Sequence, residues 1–202
     1  MPDARMQESL HGVQLRLATQ ADLPVLARIH KVAYSRSHFT ALLPDQTLVS
    51  YYGHFLTDGA EISLAVHGDE VLGFAVYGTQ LPARIATFKK TAARDILMTS
   101  VRNPVIASRK LLNAVFARLA AKPVLAPADF LLLSIAVAKP GRGVGGFLLR
   151  HLSHAAQQRH EPAVGLYVNA DNTNAINAYF AAGFVMRQHQ SGQFYVEKHL
   201  EQ

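Results

Sequence analysis

The chain of 202 residues has no cysteine. That absence excludes disulfides, thiolate metal ligands and a cysteine nucleophile. Long apolar runs are also missing. The stretch from Phe130 to Ala138 is short and carries Ser134, whereas a membrane-spanning helix needs about 20 apolar residues. The first residues, Met1 to Arg5, open no apolar signal segment, so a cytoplasmic protein is the expectation. Charged residues are sparse at 17%, against 50% apolar. Such a chain can bury a core. At about 150 residues per domain, its length suits one generous domain over residues 1–202.

Acids are nearly absent from one segment. Residues 81–128 hold nine Lys or Arg and a single acid, Asp95. The rest of the chain holds eleven bases and thirteen acids. The basicity therefore belongs to this segment. It could meet an acidic substrate, an anionic membrane surface or nucleic acid, or serve only as a solubilising face.

Val13 to Leu17 alternates and predicts a strand. Thr19 predicts the cap of a helix running to about Ser35, with Leu23, Leu26, Ile29 and Val32 at helical spacing. A second helix is expected after Pro44-Asp45. Ile62 to His67 and Val71 to Tyr77, joined by Gly68-Asp69-Glu70, predict a hairpin. The basic segment then predicts a helix over about 84–99. Asn103-Pro104 starts a second, which carries Leu111, Leu112, Val115, Phe116 and Leu119 on one stripe. This pair looks like an insertion between strands. Asp129 to Ala138 predicts a strand buried on both faces. A helix with Leu148, Leu149 and Leu152, a strand over Val164 to Val168, a short helix from Asn172 to Ala182 and two final strands around Ser191-Gly192 complete the chain.

The most informative unit lies between that buried strand and its helix: Lys139-Pro140-Gly141-Arg142-Gly143-Val144-Gly145-Gly146. Glycine lets a backbone approach a ligand closely. The first N–H groups of the following helix are unpaired and sit at its positive end. Arg142 adds a fork of donors. Together these residues propose a phosphate cradle; the plainer reading is a tight turn. Gly141-x-Gly143-x-x-Gly146, with Asp171 downstream, also matches a dinucleotide fingerprint. That fold, however, places its fingerprint at the first strand and needs several more strand–helix units afterwards. Too little chain remains here.

A second segment weighs against the dinucleotide reading. Leu131-Leu132-Leu133-Ser134-Ile135-Ala136-Val137, the glycine loop, and Asn172-x-x-Ala175-x-x-Ala178-Tyr179-x-x-x-Gly183-Phe184 resemble the GNAT superfamily of N-acetyltransferases. The resemblance is strongest over residues 129–186. It implies a mixed, mostly antiparallel central sheet flanked by helices, here with an inserted basic helical pair. It also implies acetyl-CoA as acyl donor. The strand before the loop would splay from its neighbour, and the backbone of Ile135, Ala136 and Val137 would pair with the pantetheine arm. The amides of Arg142, Gly143, Val144, Gly145 and Gly146 would take the pyrophosphate. Asn172 would help hold the cofactor, and Tyr179 would protonate the leaving thiolate. Pro140 stands where the family usually has Gln or Arg.

The implied chemistry is direct attack by an amine, without a covalent enzyme intermediate. The base is left open among Ser134, Asp129 and Glu61. The acceptor is expected to be a small-molecule primary amine, gripped by Tyr34, His38, Phe39, Tyr51 and Tyr52 together with the basic insert. An anionic acceptor would suit the insert. The rival reading is a non-catalytic module that binds acyl-CoA or nucleic acid. Metal is not expected: of ten histidines, only His151 and His154 have helical spacing, with no Glu between them. The sequence leaves the oligomeric state open.

Overall fold

The structure is a computed structural model. It describes residues 10–34, 38–108, 126–190 and 192–201. Seven strands form one sheet: β1 (Gln14–Leu17), β2 (Ala60–His67), β3 (Glu70–Gly78), β4 (Leu131–Val137), β5 (Ala163–Asn169), β6 (Val185–Gln190) and β7 (Gln193–His199). Their spatial order is β1-β2-β3-β4-β5-β7-β6. All neighbours are antiparallel except β4 and β5. The final hairpin folds back so that β7, not β6, pairs with β5. The fold is thus the mixed, mostly antiparallel sheet flanked by helices that the sequence predicts.

Helices cover both faces. On one lie α1 (Leu23–Ala33) and α2 (Asp45–Gly53). Leu23, Leu26, Ile29, Tyr52 and Phe55 pack there against Ile62, Leu64, Phe74 and Val76. On the other lie α5 (Val144–Gln158) and α6 (Thr173–Ala181). There Leu148, Leu149 and Leu152, the stripe the sequence exposes, bury against Ala75, Leu132 and Leu166. The start of α1 differs from expectation. Residues Gln20–Asp22 form a 3-10 turn before the helix. Both the N–H and the hydroxyl of Thr19 donate to Asp22, which Arg16 also holds at 2.6 Å. Arg16 first, and then the Thr19 groups, keep the Asp22 carboxyl well below the usual carboxylate range, against the opposing effect of burial.

The first helix of the expected basic pair, over about 84–99, is divided in the structure. It forms α3 (Leu81–Thr91) and α4 (Ala93–Arg102), broken at Ala92. Residues 104–108 are helical. Asn103 bonds back to Thr99 O through its side chain at 3.0 Å. The remainder of the predicted second helix, including Leu111 to Leu119, lies outside the described residues.

Candidate active site

The local departure that builds the site is in β4. Ser134 pairs with Val76, but Leu132 pairs with Tyr77, so Leu133 is skipped. This is a β-bulge, which bends and re-aims the strand that carries it. Pairing of β4 with β5 involves only Leu131 with Gly165 and Leu132 with Leu166. The two strands separate where the bulge begins. The strand expected to be buried on both faces is therefore only alternately buried: Leu132, Ser134 and Ala136 are enclosed, and their neighbours are half-exposed.

The open side has a defined set of backbone groups. Ala138 N–H donates to Leu72 O at 2.8 Å. Strand alternation then turns the N–H and C=O of Ala136 to Phe74 of β3. It turns those of Ile135 and Val137 the other way, into the gap beside β5. The closed end of the gap is clasped. The Ala128 N–H donates to the Tyr195 hydroxyl at 2.8 Å. The Tyr195 ring crosses β5 at Gly165, where a Cβ would lie 2.5 Å from that hydroxyl.

At the wide end of the gap stands the glycine loop. Gly141 and Gly143 have φ of +83° and +74°, a left-handed conformation that costs other residues about 1–2 kcal/mol. Helix α5 begins immediately afterwards, its first internal bond running from Phe147 N–H to Gly143 O. The N–H groups of Val144, Gly145 and Gly146 thus project from the helix end without helical partners. Gly145 is different from the two turn glycines. It is helical, and a Cβ added there would meet nothing within 4 Å. Helix propensity disfavours glycine at such a place. Open space over bare amides fits a group that must approach the backbone closely, as a pyrophosphate would. Beside the loop, a hollow of about 220 Å³ is lined by His67, Glu70, Leu72, Lys139, Arg142 and Val144 among others.

The side-chain chemistry gathers at Ser134. The Tyr34 hydroxyl, at the end of α1, lies 2.9 Å from Ser134 Oγ. Tyr34 stacks on His30, with ring centroids 4.3 Å apart. His30 is buried. Its Nδ1 hydrogen-bonds with the Tyr52 hydroxyl at 2.6 Å, and its Nε2 with Thr40 Oγ1 at 2.8 Å. Thr40 is in turn 2.8 Å from His38 Nδ1. Burial, followed by the charges of His38 and Lys31, pushes the His30 imidazole down to about 3. It is held neutral. Tyr179 is buried in α6 and packs on Phe184. Burial raises its phenol, and Tyr34 adds to the shift. Of the two residues singled out for catalysis, Tyr34 holds Ser134 directly, while Tyr179 stands in α6 against Phe184. His30 and Thr40 were not anticipated: His30 looks like one more position of the α1 stripe.

Other candidates have settled roles. Asn172 caps α6, its Oδ1 accepting from Ala175 N–H at 3.2 Å. Glu61 is engaged by Arg159 just past the C-terminal end of α5, remote from the loop at the other end. His151 faces Tyr77 at 3.3 Å. Among the described residues, no group of three or more His, Asp or Glu is placed to hold a metal. None of their helices is long and apolar enough to cross a membrane.

No family model matches the chain, and no curated protein matches it in sequence. Solved structures do match in shape. The ribosomal-protein-S18-alanine N-acetyltransferase from Escherichia coli is 15% identical, with a TM-score of 0.59 over 94% of this chain and 95% of its own. The PaiA N-acetyltransferase from Thermoplasma acidophilum, solved with coenzyme A, is 13% identical. Its TM-score is 0.59 over 93% of this chain and 98% of its own. A GNAT-family protein from Desulfovibrio desulfuricans is 17% identical, with a TM-score of 0.54 over 94% and 98%. These likenesses run over nearly the whole chain, and this chain has the fold of the GNAT N-acetyltransferases.

Proposed function

We propose that the protein transfers an acetyl group from acetyl-CoA to the primary amine of a small-molecule acceptor. One observation carries the reading. The gap between β4 and β5 presents the free backbone groups of Ile135 and Val137 and ends at the bare amides of α5. An extended amide-bearing arm that terminates in a pyrophosphate fits that sequence of partners.

On this reading Val144, Gly145 and Gly146 hold the pyrophosphate through their N–H groups, with Gly143 and Arg142 completing the loop. Ile135 and Val137 align the arm, and Ala136 supports them by anchoring β4 to β3. Asn172 orders the start of α6. Bound acetyl-CoA supplies a thioester carbonyl for the amine to attack. Tyr179, kept protonated by burial, gives its proton to the departing sulfur. The Ser134 hydroxyl, held by Tyr34, positions the attacking amine by accepting a hydrogen bond from it, and the proton that the nitrogen loses as the C–N bond forms passes to solvent water. The E. coli neighbour is a ribosomal-protein-S18-alanine N-acetyltransferase, so a protein acceptor is the alternative that the amine panel must include.

The test is Tyr179→Phe, assayed by thiol release over a panel of amines with acetyl-CoA binding measured by calorimetry. A general acid contributes about 10²–10⁴-fold. Turnover should fall by that order while acetyl-CoA affinity stays within about twofold. Unchanged turnover sinks the acid role, and failure of the parent protein to bind acetyl-CoA sinks the whole reading.

A further inference from the structure

Ordinary surface helices turn apolar residues inward and polar residues outward. Helix α4 does not. Its inner side carries buried Thr99, half-buried Ile96 and half-buried Asp95, which accepts from Thr47 Oγ1 at 2.5 Å. Its outer stripe, at i, i+3, i+4 and i+7, is Arg94, Leu97, Met98 and Val101. Leu97 and Val101 are 62% and 67% exposed. Val105, 78% exposed, follows in the next helical stretch. Four of the ten large apolar residues exposed among the described residues thus fall within nine positions.

The charge around this stripe has one sign. Lys89, Lys90, Arg94 and Arg102 are exposed. The only acid between residues 81 and 108 is Asp95, turned inward to Thr47. An apolar stripe carried with Arg94 and Arg102 on one helix, in a segment whose exposed charges are all cationic, matches one partner chemistry closely. A bilayer with anionic headgroups takes the apolar side chains at its acyl boundary and the cations at its phosphates. Nucleic acid would use the cations but has no place for Leu97 and Val101. A second copy docked face to face would bring the same cations together.

We propose that the outer face of α4 docks on the surface of an anionic lipid bilayer. The claim is independent of the acetyl-transfer reading. It is tested by sedimenting the full chain with phosphatidylcholine vesicles, with and without phosphatidylglycerol. Binding should require phosphatidylglycerol and weaken as salt is raised. Leu97→Glu/Val101→Glu should lower partitioning by about tenfold or more, since it removes buried apolar area and adds repulsion. Each neutralisation among Lys89, Lys90, Arg94 and Arg102 to Gln should cost roughly fivefold. These side chains are exposed, so melting temperatures should stay near that of the parent.

Three results overturn the proposal. One is no binding, or equal binding to both vesicle types. Another is a solution dimer that Leu97→Glu/Val101→Glu dissolves while vesicles go unbound. The last is duplex DNA binding that depends on the four cations and ignores Leu97→Glu/Val101→Glu.

Discussion

Gly145→Ala separates a glycine kept for the fold from one kept for a ligand. The residue is helical, in the first turn of α5, and an added Cβ meets no atom within 4 Å. Nothing in the protein therefore opposes a methyl group. Alanine outranks glycine in a helix by about 0.5–1 kcal/mol, largely through the entropy of the unfolded chain. For a chain of this size, 1 kcal/mol moves the melting temperature by about 2–4 °C. Gly145→Ala should thus raise Tm by roughly 1–4 °C in differential scanning calorimetry. The same methyl stands where a pyrophosphate would meet the amides of Val144, Gly145 and Gly146. Acetyl-CoA affinity should fall about tenfold or more, equivalent to roughly 1.4 kcal/mol. Stability and binding must move in opposite directions. Gly143→Ala is the contrast, because its φ of +74° makes alanine destabilising by about 1–2 kcal/mol. A drop in Tm for Gly145→Ala, or unchanged acetyl-CoA affinity, would refute the reasoning.

Three further outcomes are expected. His30 has a folded value of about 3 against 6.5 for the free side chain. Its contribution is therefore intact above pH 6.5 and declines as pH falls toward 3, by on the order of 5 kcal/mol. Denaturant titrations across that range should show the decline, and His30→Gln should flatten it after lowering stability at neutral pH. Ser134→Ala strands the buried Tyr34 hydroxyl and should cost about 1–3 kcal/mol; Tyr34→Phe should cost a similar amount, and the double variant less than the two together. Gly165→Ala places a Cβ 2.5 Å from the Tyr195 hydroxyl. It should destabilise by about 1–3 kcal/mol through overpacking, read as a lower urea midpoint.

The sequence made the periodic elements legible, and it hid the places where the period breaks. The leucines of α5, the Gly68-Asp69-Glu70 turn and the Asn172 cap each carry a local signal, and each stands where that signal puts it. The bulge at Leu133 carries none. It falls in Leu131-Leu132-Leu133, where a skipped residue exchanges one leucine for another and leaves the hydropathy pattern unchanged. Yet that skip turns Ser134 toward Tyr34 and opens the gap. The break at Ala92 is equally silent, since no glycine or proline marks it. The insertion of β7 between β5 and β6 is a tertiary choice. His30 was hidden for another reason: the α1 stripe makes room for a buried side chain, and only packing reveals that Tyr52 and Thr40 satisfy its nitrogens.

A parted strand leaves main-chain groups that the sheet does not use, and this asymmetry can be probed one residue at a time. Proline deletes an N–H without removing the rest of the strand, and sheets tolerate it where that N–H faces away from a neighbour. In β4 the alternation alternately aims the N–H groups at β3 and at the gap. Ala136→Pro removes a bond to Phe74 and strands a buried carbonyl, so a loss of about 1–3 kcal/mol is expected from that term alone. Ile135→Pro removes an N–H that no strand receives. Its ring still adds some backbone strain, but the β3 ladder is kept. Thermal melts should therefore rank Ile135→Pro well above Ala136→Pro. Acetyl-CoA calorimetry on Ile135→Pro, still folded, should show weakened binding, because the missing donor belongs to the gap. If Ile135→Pro unfolds while Ala136→Pro does not, the alternation has been assigned the wrong way round. If Ile135→Pro folds and binds acetyl-CoA unchanged, the gap does not receive the arm of the cofactor.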